Sequence, residues 1–455
     1  MMRVTCKRLL AVTAPIALLF FFSGCQVADH GEAVQSIKND TVKKKVPEQF
    51  SASAARGKVD DGWLKSFGDP VLNKLVAEAL AHNPNLAAAQ ARVDKATGLT
   101  HQARAALKPT VGLTGGYRDN SFAGAEEIGF GSLKTSWEPD VWGRVRTGVA
   151  ASEESAAASE ADYHFARQSL AGATAKAWFL AITSKLQLRF AGEVVALQKK
   201  SLKIVEERNR IGQGRLQDVH LARAAMAQAG EAVTKARAAH ESSLRSLELL
   251  LGRYPSADIK VTKKLVAVPP PIPAGIPSEI LERRPDIIAA ERRVAAAFYK
   301  QQEAELLHLP RFNFSLGLGT NSLTNAISSL SAGIFAPLYT GGAIEAQVET
   351  ATAAQKETIA RYAGRALEAF SEVENRLAAE EHLAKRHGFL LTVVDEDQQA
   401  YKIAKKQFDI GQLGLLDVLN IQSRWISAQI AEIDAASLQL INRVDLHLAL
   451  GGSFE

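Results

Sequence analysis

The chain repeats itself at a separation of about two hundred residues. Asn83-Pro84-Asn85-Leu86 returns as Arg284-Pro285-Asp286-Ile287, Arg92-Val93 as Arg293-Val294, and Pro109 as Pro310. These pairs share one offset, since 285 − 84 and 310 − 109 both give 201. Ile211-Gly212-Gln213, with Leu216 and Asp218-Val219, returns as Ile410-Gly411-Gln412 with Leu415 and Asp417-Val418. Leu251-Gly252 returns as Leu450-Gly451, and here 411 − 212 and 450 − 251 both give 199. So tight a register predicts two copies of one structural unit, far longer than a solenoid repeat of roughly 20–50 residues.

Proline placement shows what the unit contains. No proline occurs between Pro139 and Pro255, nor after Pro337. Proline breaks helix interiors, so these two Ala-rich stretches can hold very long helices. Phe179, Ile182, Leu186, Phe190, Val194, Leu197, Ile204 and Ile211 are spaced by three, four or seven. Val219, Ala222, Met226, Ala229, Val233 and Ala236 alternate three and four, a heptad seam of small residues. Gly212-Gln213-Gly214 interrupts these seams, and Gly411-Gln412-Leu413-Gly414 stands at the matching place. Each half is expected to carry a helical hairpin with a sharp tip. Its ascending arm, from about Gly143 to Arg210, would run on the order of 100 Å at 1.5 Å per residue.

Ahead of each arm the period changes to two. Phe312, Phe314, Leu316 and Leu318 alternate with Arg311, Asn313, Ser315 and Gly317, and Leu330, Ala332, Ile334, Ala336 and Leu338 alternate with small and polar residues. Val111, Leu113 and Tyr117, then Leu133 and Trp137, give the weaker first copy. Alternating segments of about ten residues are the mark of transmembrane β-strands. The stretches Arg118 to Glu127 and Thr320 to Ser328 are polar and read as loops. Four strands cannot close a barrel, and an open edge cannot face lipid with its backbone groups unpaired. Several chains must pool their strands; three would supply twelve, within the known range.

The N-terminus reads as an export signal. Arg3, Lys7 and Arg8 precede an apolar run from Leu9 to Phe22, which ends in Phe22-Ser23-Gly24-Cys25. This ending resembles a lipoprotein lipobox, with Phe22 where Leu is usual, and makes Cys25 the expected lipidation site. Cys6 leaves with the signal, so the mature chain cannot form an internal disulfide. Gln26 in place of the Asp that retains lipoproteins at the inner membrane gives the outer membrane as the expected address. The net charge of +5 falls to +2 without Arg3, Lys7 and Arg8, at 51 basic against 49 acidic residues, which leaves no nucleic-acid footprint. These signals divide the chain into a signal peptide (1–24), a lipid-anchored extended arm (25–62), a first repeat (63–252), a Pro-rich connector (253–279), a second repeat (280–452) and a tail (453–455).

Together the residues resemble the TolC-like outer-membrane efflux duct family, in its lipid-anchored OprM/NodT-type branch. The carriers are Phe67-Gly68-Asp69-Pro70 with Leu72, Asn83-Pro84 with Arg92, Glu138-Pro139-Asp140, Trp142-Gly143-Arg144, and Arg284-Pro285-Asp286-Ile287 with Ala290-Glu291. Further carriers are Pro337-Leu338-Tyr339 with Gly341-Gly342, Glu372-Val373-Glu374, Gly411 with Leu415-Leu416-Asp417-Val418-Leu419, and Ala449-Leu450-Gly451-Gly452. Their order and duplication, from Trp63 to Gly452, carry the resemblance. It implies a mostly α fold with a transmembrane β-barrel: a homotrimeric twelve-stranded barrel continued by an α-helical periplasmic tunnel. It also implies a periplasmic adaptor and an inner-membrane efflux pump as partners, with the duct passively conducting small molecules. Exit-duct service in type I protein secretion, or a structural coiled-coil envelope lipoprotein, are the alternatives.

The same resemblance places Asp417, Leu413 and Asn420 at the periplasmic entrance. Three symmetry-related Asp417 carboxylates would favour cations and resist closure. The other reading of Asp417 is a helix-start carboxylate near the positive end of the dipole, which its counterpart Asp218 also fits. Asn420 stands where relatives often have a second acid. Gly212, Gly214, Gly411 and Gly414 are expected to permit left-handed backbone at the tips and to keep them slim for adaptor helices. Asp140 and Thr340 are expected helix N-caps at the strand-to-helix corners. No catalytic constellation, cofactor-binding motif or metal spacing is legible. His382 and His387 are off the same-face spacing of four, and beyond the signal Met226 is the lone methionine, so a Met-lined copper route finds no support. The expected cofactor is none, apart from the covalent lipid on Cys25.

Overall fold

Three prolines open helices of this chain, and four left-handed glycines, Gly212, Gly252, Gly411 and Gly451, follow the ends of its long ones. The computed structural model describes residues 31–39, 47, 49–52, 57, 59, 61–118, 128–322 and 325–455. Cys25, the signal and the loop 119–127 lie outside those residues. In chain order the elements are α1 (Gly31–Ile37), α2 (Trp63–Ser66), α3 (Pro70–His82), α4 (Pro84–Ala105), β1 (Thr110–Arg118), β2 (Ile128–Trp137), α5 (Arg144–Arg210) and α6 (Leu216–Leu250). They continue with α7 (Ile280–Arg283), α8 (Pro285–Glu305), β3 (Arg311–Ser322), β4 (Asn325–Phe335), α9 (Ala343–Asp409) and α10 (Leu415–Ala449). The ascending helices α5 and α9 each run 67 residues and the descending helices α6 and α10 each run 35, so the duplication read in the sequence holds to the residue. Proline opens α3, α4 and α8, where its missing N–H costs nothing.

The chain folds into two compact units. Among the described residues each draws matching stretches from both repeats: 93–159 with 289–363 in one, and 61–92, 160–288 and 364–455 in the other.

The first unit is built around one antiparallel sheet of order β1-β2-β3-β4. Cross-strand partners share a face, so the register sorts the side chains. One face carries Val111, Leu113, Leu133, Phe314, Leu316 and Leu330, and the other carries Thr114, Ser132, Lys134, Ser315 and Ser331. Indoles pin the strand starts. Trp137 Nε1 donates to the Leu107 carbonyl at 3.1 Å, and Trp142 Nε1 to the Pro310 carbonyl at 2.7 Å. The expected loop from Thr320 to Ser328 is mostly strand, since β3 runs to Ser322 and β4 starts at Asn325. Backbone pairing continues through polar side chains, which the sequence pattern alone reads as loop.

Asp140 caps α5 as expected: its carboxylate accepts from Val145 N at 2.9 Å and Arg146 N at 2.8 Å. Thr340 does not match it. Its carbonyl, rather than its hydroxyl, accepts from Ala343 N at 3.2 Å, and Gly342 supplies the first carbonyl of α9.

In the second unit Trp63, Phe67, Leu72, Trp178, Phe179, Ile182, Leu247, Leu251, Leu440 and Val444 form a buried core. The Phe67-Gly68-Asp69-Pro70 motif works at its edge. Asp69 Oδ1 caps α3 by accepting from Val71 N and Leu72 N, while Oδ2 accepts from the buried Trp178 indole at 2.8 Å. The starts of α4 and α8 are tied to the ends of α6 and α10. Gly252 at φ +72° leaves a Cβ only 2.4 Å from the His82 carbonyl oxygen, and Gly451 at φ +71° leaves one 3.0 Å from Arg283 backbone. Glycine is needed there for conformation and for clearance alike.

Beyond α6 the chain must turn into the connector. Glu248 turns it, its carboxylate accepting from Ala257 N at 2.7 Å and Asp258 N at 2.8 Å. At the equivalent place in α10 stands His447, stacked on Trp63 at 5.6 Å. Arg443 one turn earlier fastens the connector through the Pro269 and Pro270 carbonyls and pairs with Glu380. Burial, and then the Arg443 charge, push His447 down to about 3.

Candidate functional site

The hairpin tips form by the same local chemistry in both copies. Gln213 N donates to the Arg208 carbonyl and Gly212 N to the Asn209 carbonyl; Gln412 N and Gly411 N donate in the same way to Gln407 and Phe408. This six-to-one, five-to-two pattern is a Schellman motif, and it needs left-handed backbone at the residue after the helix. Gly212 (φ +74°) and Gly411 (φ +78°) supply it.

Gly214 and Gly414 do not, which corrects part of the expectation. Gly414 is the N-cap residue of α10 in extended backbone, φ −74° and ψ 152°. Gly214 is constrained by space, because a Cβ there would lie 2.8 Å from Asn209 N. Nothing lies within 4 Å of a Cβ on Gly212 or Gly411, so both turns are open outward. Ile211, Leu216, Ile410 and Leu416 are each more than half exposed around them, and Ile211 therefore ends its seam in solvent rather than in the core.

Behind the tips the two hairpins interlock. Phe190, Val194, Val205, Val219, Phe408, Leu415 and Val418 are buried together, with Leu413 packed partly buried against them. Trp425 sits edge-on to Phe190 and stacked on Tyr401, both at 5.4 Å. Buried Gln198 donates to Gln422 at 2.8 Å. Arg208 clamps the tips: its guanidinium donates to the Phe408 carbonyl at 3.0 Å and the Asp409 carbonyl at 2.7 Å, and lies 4.7 Å from the Phe408 ring. It thereby satisfies carbonyls that the end of α9 leaves orphaned. Sequence reading missed this residue. The available signal was a break in the repeat, since the matching position holds Gln407.

The structure puts Asp417 and Asn420 exposed on α10, Asp417 in its first turn. Asp417 has no hydrogen-bond or ion-pair partner among the described residues. Asp218 takes the same first-turn place on α6, partly buried. Both suit the helix dipole. Asp417 and Leu413 share one tip: the acid exposed, the leucine turned partly into the core.

The sheet is the other unusual surface. Leu113 and Leu330 are each 81% exposed on its apolar face, and among the described residues neither edge strand, β1 nor β4, has an outer partner. Among the described residues no helix is long and apolar enough to cross a membrane.

A family model described as outer membrane efflux protein matches residues 75–253 and 276–452, one match in each repeat. The pyoverdine export outer membrane protein OpmQ of Pseudomonas putida is 29% identical over 89% of this chain and 91% of its own length. The toluene efflux pump outer membrane protein TtgC of Pseudomonas putida is 28% identical over 90% of this chain and 88% of its own. Among solved structures, the open state of the Neisseria gonorrhoeae MtrE outer membrane channel superposes with a TM-score of 0.80 at 26% identity, covering 90% of this chain and 96% of that one.

Proposed function

The chain belongs to the outer membrane efflux protein family, and from that premise we propose how one copy becomes a duct. It is an outer-membrane channel component of an efflux system, as its relatives are. Three copies close the barrel, the free edge of β1 in one pairing with the free edge of β4 in the next. The observation that carries this is the sheet itself: its bare apolar face suits lipid, and there its two unpaired edges cannot persist. Twelve strands remove both edges at once.

Acylated Cys25 anchors the chain at the inner leaflet of the outer membrane. The tips receive a periplasmic adaptor docked on an inner-membrane pump, and the exposed Ile211, Leu216, Ile410 and Leu416 give that adaptor an apolar footing. Small molecules pass by diffusion, driven by the pump. The Asp417 side chains of three copies ring the entrance.

The test is a membrane preparation run without boiling. A heat-labile trimer that conducts ions in a planar bilayer is expected; a stable monomer that conducts none sinks the reading. A bulky residue at Gly411, where nothing crowds the new side chain, should stop efflux in cells while trimers still form. Normal pumping by that variant would remove the tips from adaptor docking.

A further inference from the structure

The strands carry charge of one sign. Across Thr110–Arg118, Ile128–Trp137, Arg311–Ser322 and Asn325–Phe335 the charged residues are Arg118, Lys134 and Arg311, with no Asp or Glu. By register Lys134 and Arg311 fall on the polar face, opposite Leu113, Leu133 and Phe314. Lys134 stands in the row Gly112–Lys134–Gly317–Ser329, flanked on both sides by glycine. Its neighbours therefore have no side chain to shield it. It is exposed, makes no ion pair among the described residues, and overlooks a recess of about 330 Å³ lined also by Ser132, Ser315 and Ser329.

Lower on the same face Arg311 Nε is buried without a hydrogen-bond partner. A second recess of about 570 Å³ there holds Arg311, Lys108 and Glu138. Glu138 is already held by Arg144 at 2.9 Å, so the free charge of this recess is also positive.

We propose that the barrel lumen of this duct prefers anionic cargo, organic acids and phosphates or sulfonates over neutral or cationic molecules, and that Lys134 sets the preference. The inference rests on the trimeric duct reading above, which turns the polar face inward. Twelve strands about 4.8 Å apart and tilted by about 40° enclose a backbone radius of roughly 12 Å. A lysine reaching about 6 Å inward leaves its ammonium about 6 Å from the axis, within the Debye length of about 8 Å at physiological salt. The fields of three such groups overlap on the axis, as in anion pores ringed by Lys or Arg.

The experiment is the reversal potential of the full-length protein in planar bilayers under a KCl gradient. With the entrance carboxylates removed by Asp417→Ala, the chloride-to-potassium permeability ratio at about 0.1 M salt should exceed one, and it should fall toward one near 1 M, where the Debye length is about 3 Å. Lys134→Gln should lower the ratio on the order of two- to threefold, and Lys134→Arg should preserve it. An unchanged reversal potential in Lys134→Gln overturns the proposal. Should that variant fail to assemble, Asp417→Ala, which removes the cation-favouring entrance carboxylates, decides alone, and potassium preference of that variant at low salt overturns the proposal. A wild-type trimer that conducts nothing would instead overturn the duct reading, which is a separate failure.

Discussion

Asn83 and Arg284 occupy equivalent places in the two repeats and reach for equivalent atoms. Asn83 Nδ2 donates to the Leu250 carbonyl at 2.9 Å, and Arg284 Nη1 to the Ala449 carbonyl at 3.1 Å. Asn83 also caps α4, its Oδ1 accepting from Asn85 N and Leu86 N. The guanidinium brings a charge into a buried corner and is answered by Asp286 and Glu372 at 2.9 and 2.7 Å. Burial alone would raise the Asp286 carboxyl; the bonds from Arg284 and Arg365 outweigh it and hold the group below its usual range. Asn83→Ala should therefore cost about 1–2 kcal/mol, the worth of a helix cap. Arg284→Ala should cost about 3–5 kcal/mol, because a buried carboxylate loses a partner. Urea-induced loss of helical circular dichroism in detergent measures both, and equal costs would refute the asymmetry.

The glycines at helix ends separate two kinds of constraint. Gly411→Ala meets open space and should lose only the left-handed backbone term, about 1 kcal/mol. Gly252→Ala adds a collision with the His82 carbonyl and should cost at least twice as much, with Gly451→Ala between them. The same unfolding series ranks the three.

Arg208→Ala removes two hydrogen bonds and a cation–π contact from the end of α9, worth about 1–2 kcal/mol together. Amide exchange across residues 405–412 should speed up, while the core around Trp178 stays protected. Arg208→Lys should not restore protection, since an ammonium lacks the fork that spans two carbonyls.

His447 predicts the pH dependence. Its folded value of about 3 lies below the ordinary 6.5 because burial and Arg443 oppose protonation. The unfolded chain then binds the extra proton, so this stability is present in full above pH 6.5 and drains away as pH falls toward 3. The loss between pH 7 and 5 should amount to about 1–2 kcal/mol. His447→Phe keeps a ring against Trp63 and should flatten the urea midpoint over that range. A slope identical to wild type would clear His447 of the effect.

At the entrance, Asp417→Ala should raise single-channel conductance or shift its dependence on pH, because an exposed, unpaired carboxylate leaves the first turn of α10. Unchanged conductance and pH profile in planar bilayers would reduce Asp417 to a helix-dipole residue like Asp218.

Much of this was legible in the sequence because it follows from local rules. Proline-free Ala-rich stretches and the Gly212 and Gly411 breaks fixed helices and tips to within a residue or two, and the alternation found the strands but not their ends, since β4 starts at Asn325 and stops at Phe335, short of Ala336 and Leu338. What escaped depends on partners distant along the chain. Nothing near Arg208 announces that its target is the far end of α9, and nothing near Thr320 shows that Ala326 will pair with it. Thr340 had the right chemistry for a cap, but two glycines follow it and move the helix start beyond its reach. At Gly214 a turn residue was read as a conformational requirement when the constraint is clearance from Asn209 N.

The fork at Glu248 and His447 has a lasting outcome for the molecule's history. One position, inherited twice, now steers the chain into the connector in one copy and stacks on an indole in the other. Each half has become a specialist. Joining them in reversed order would set a carboxylate against Trp63 and an imidazole where Ala257 and Asp258 need acceptors, so the duplication can no longer be run backwards by simple recombination.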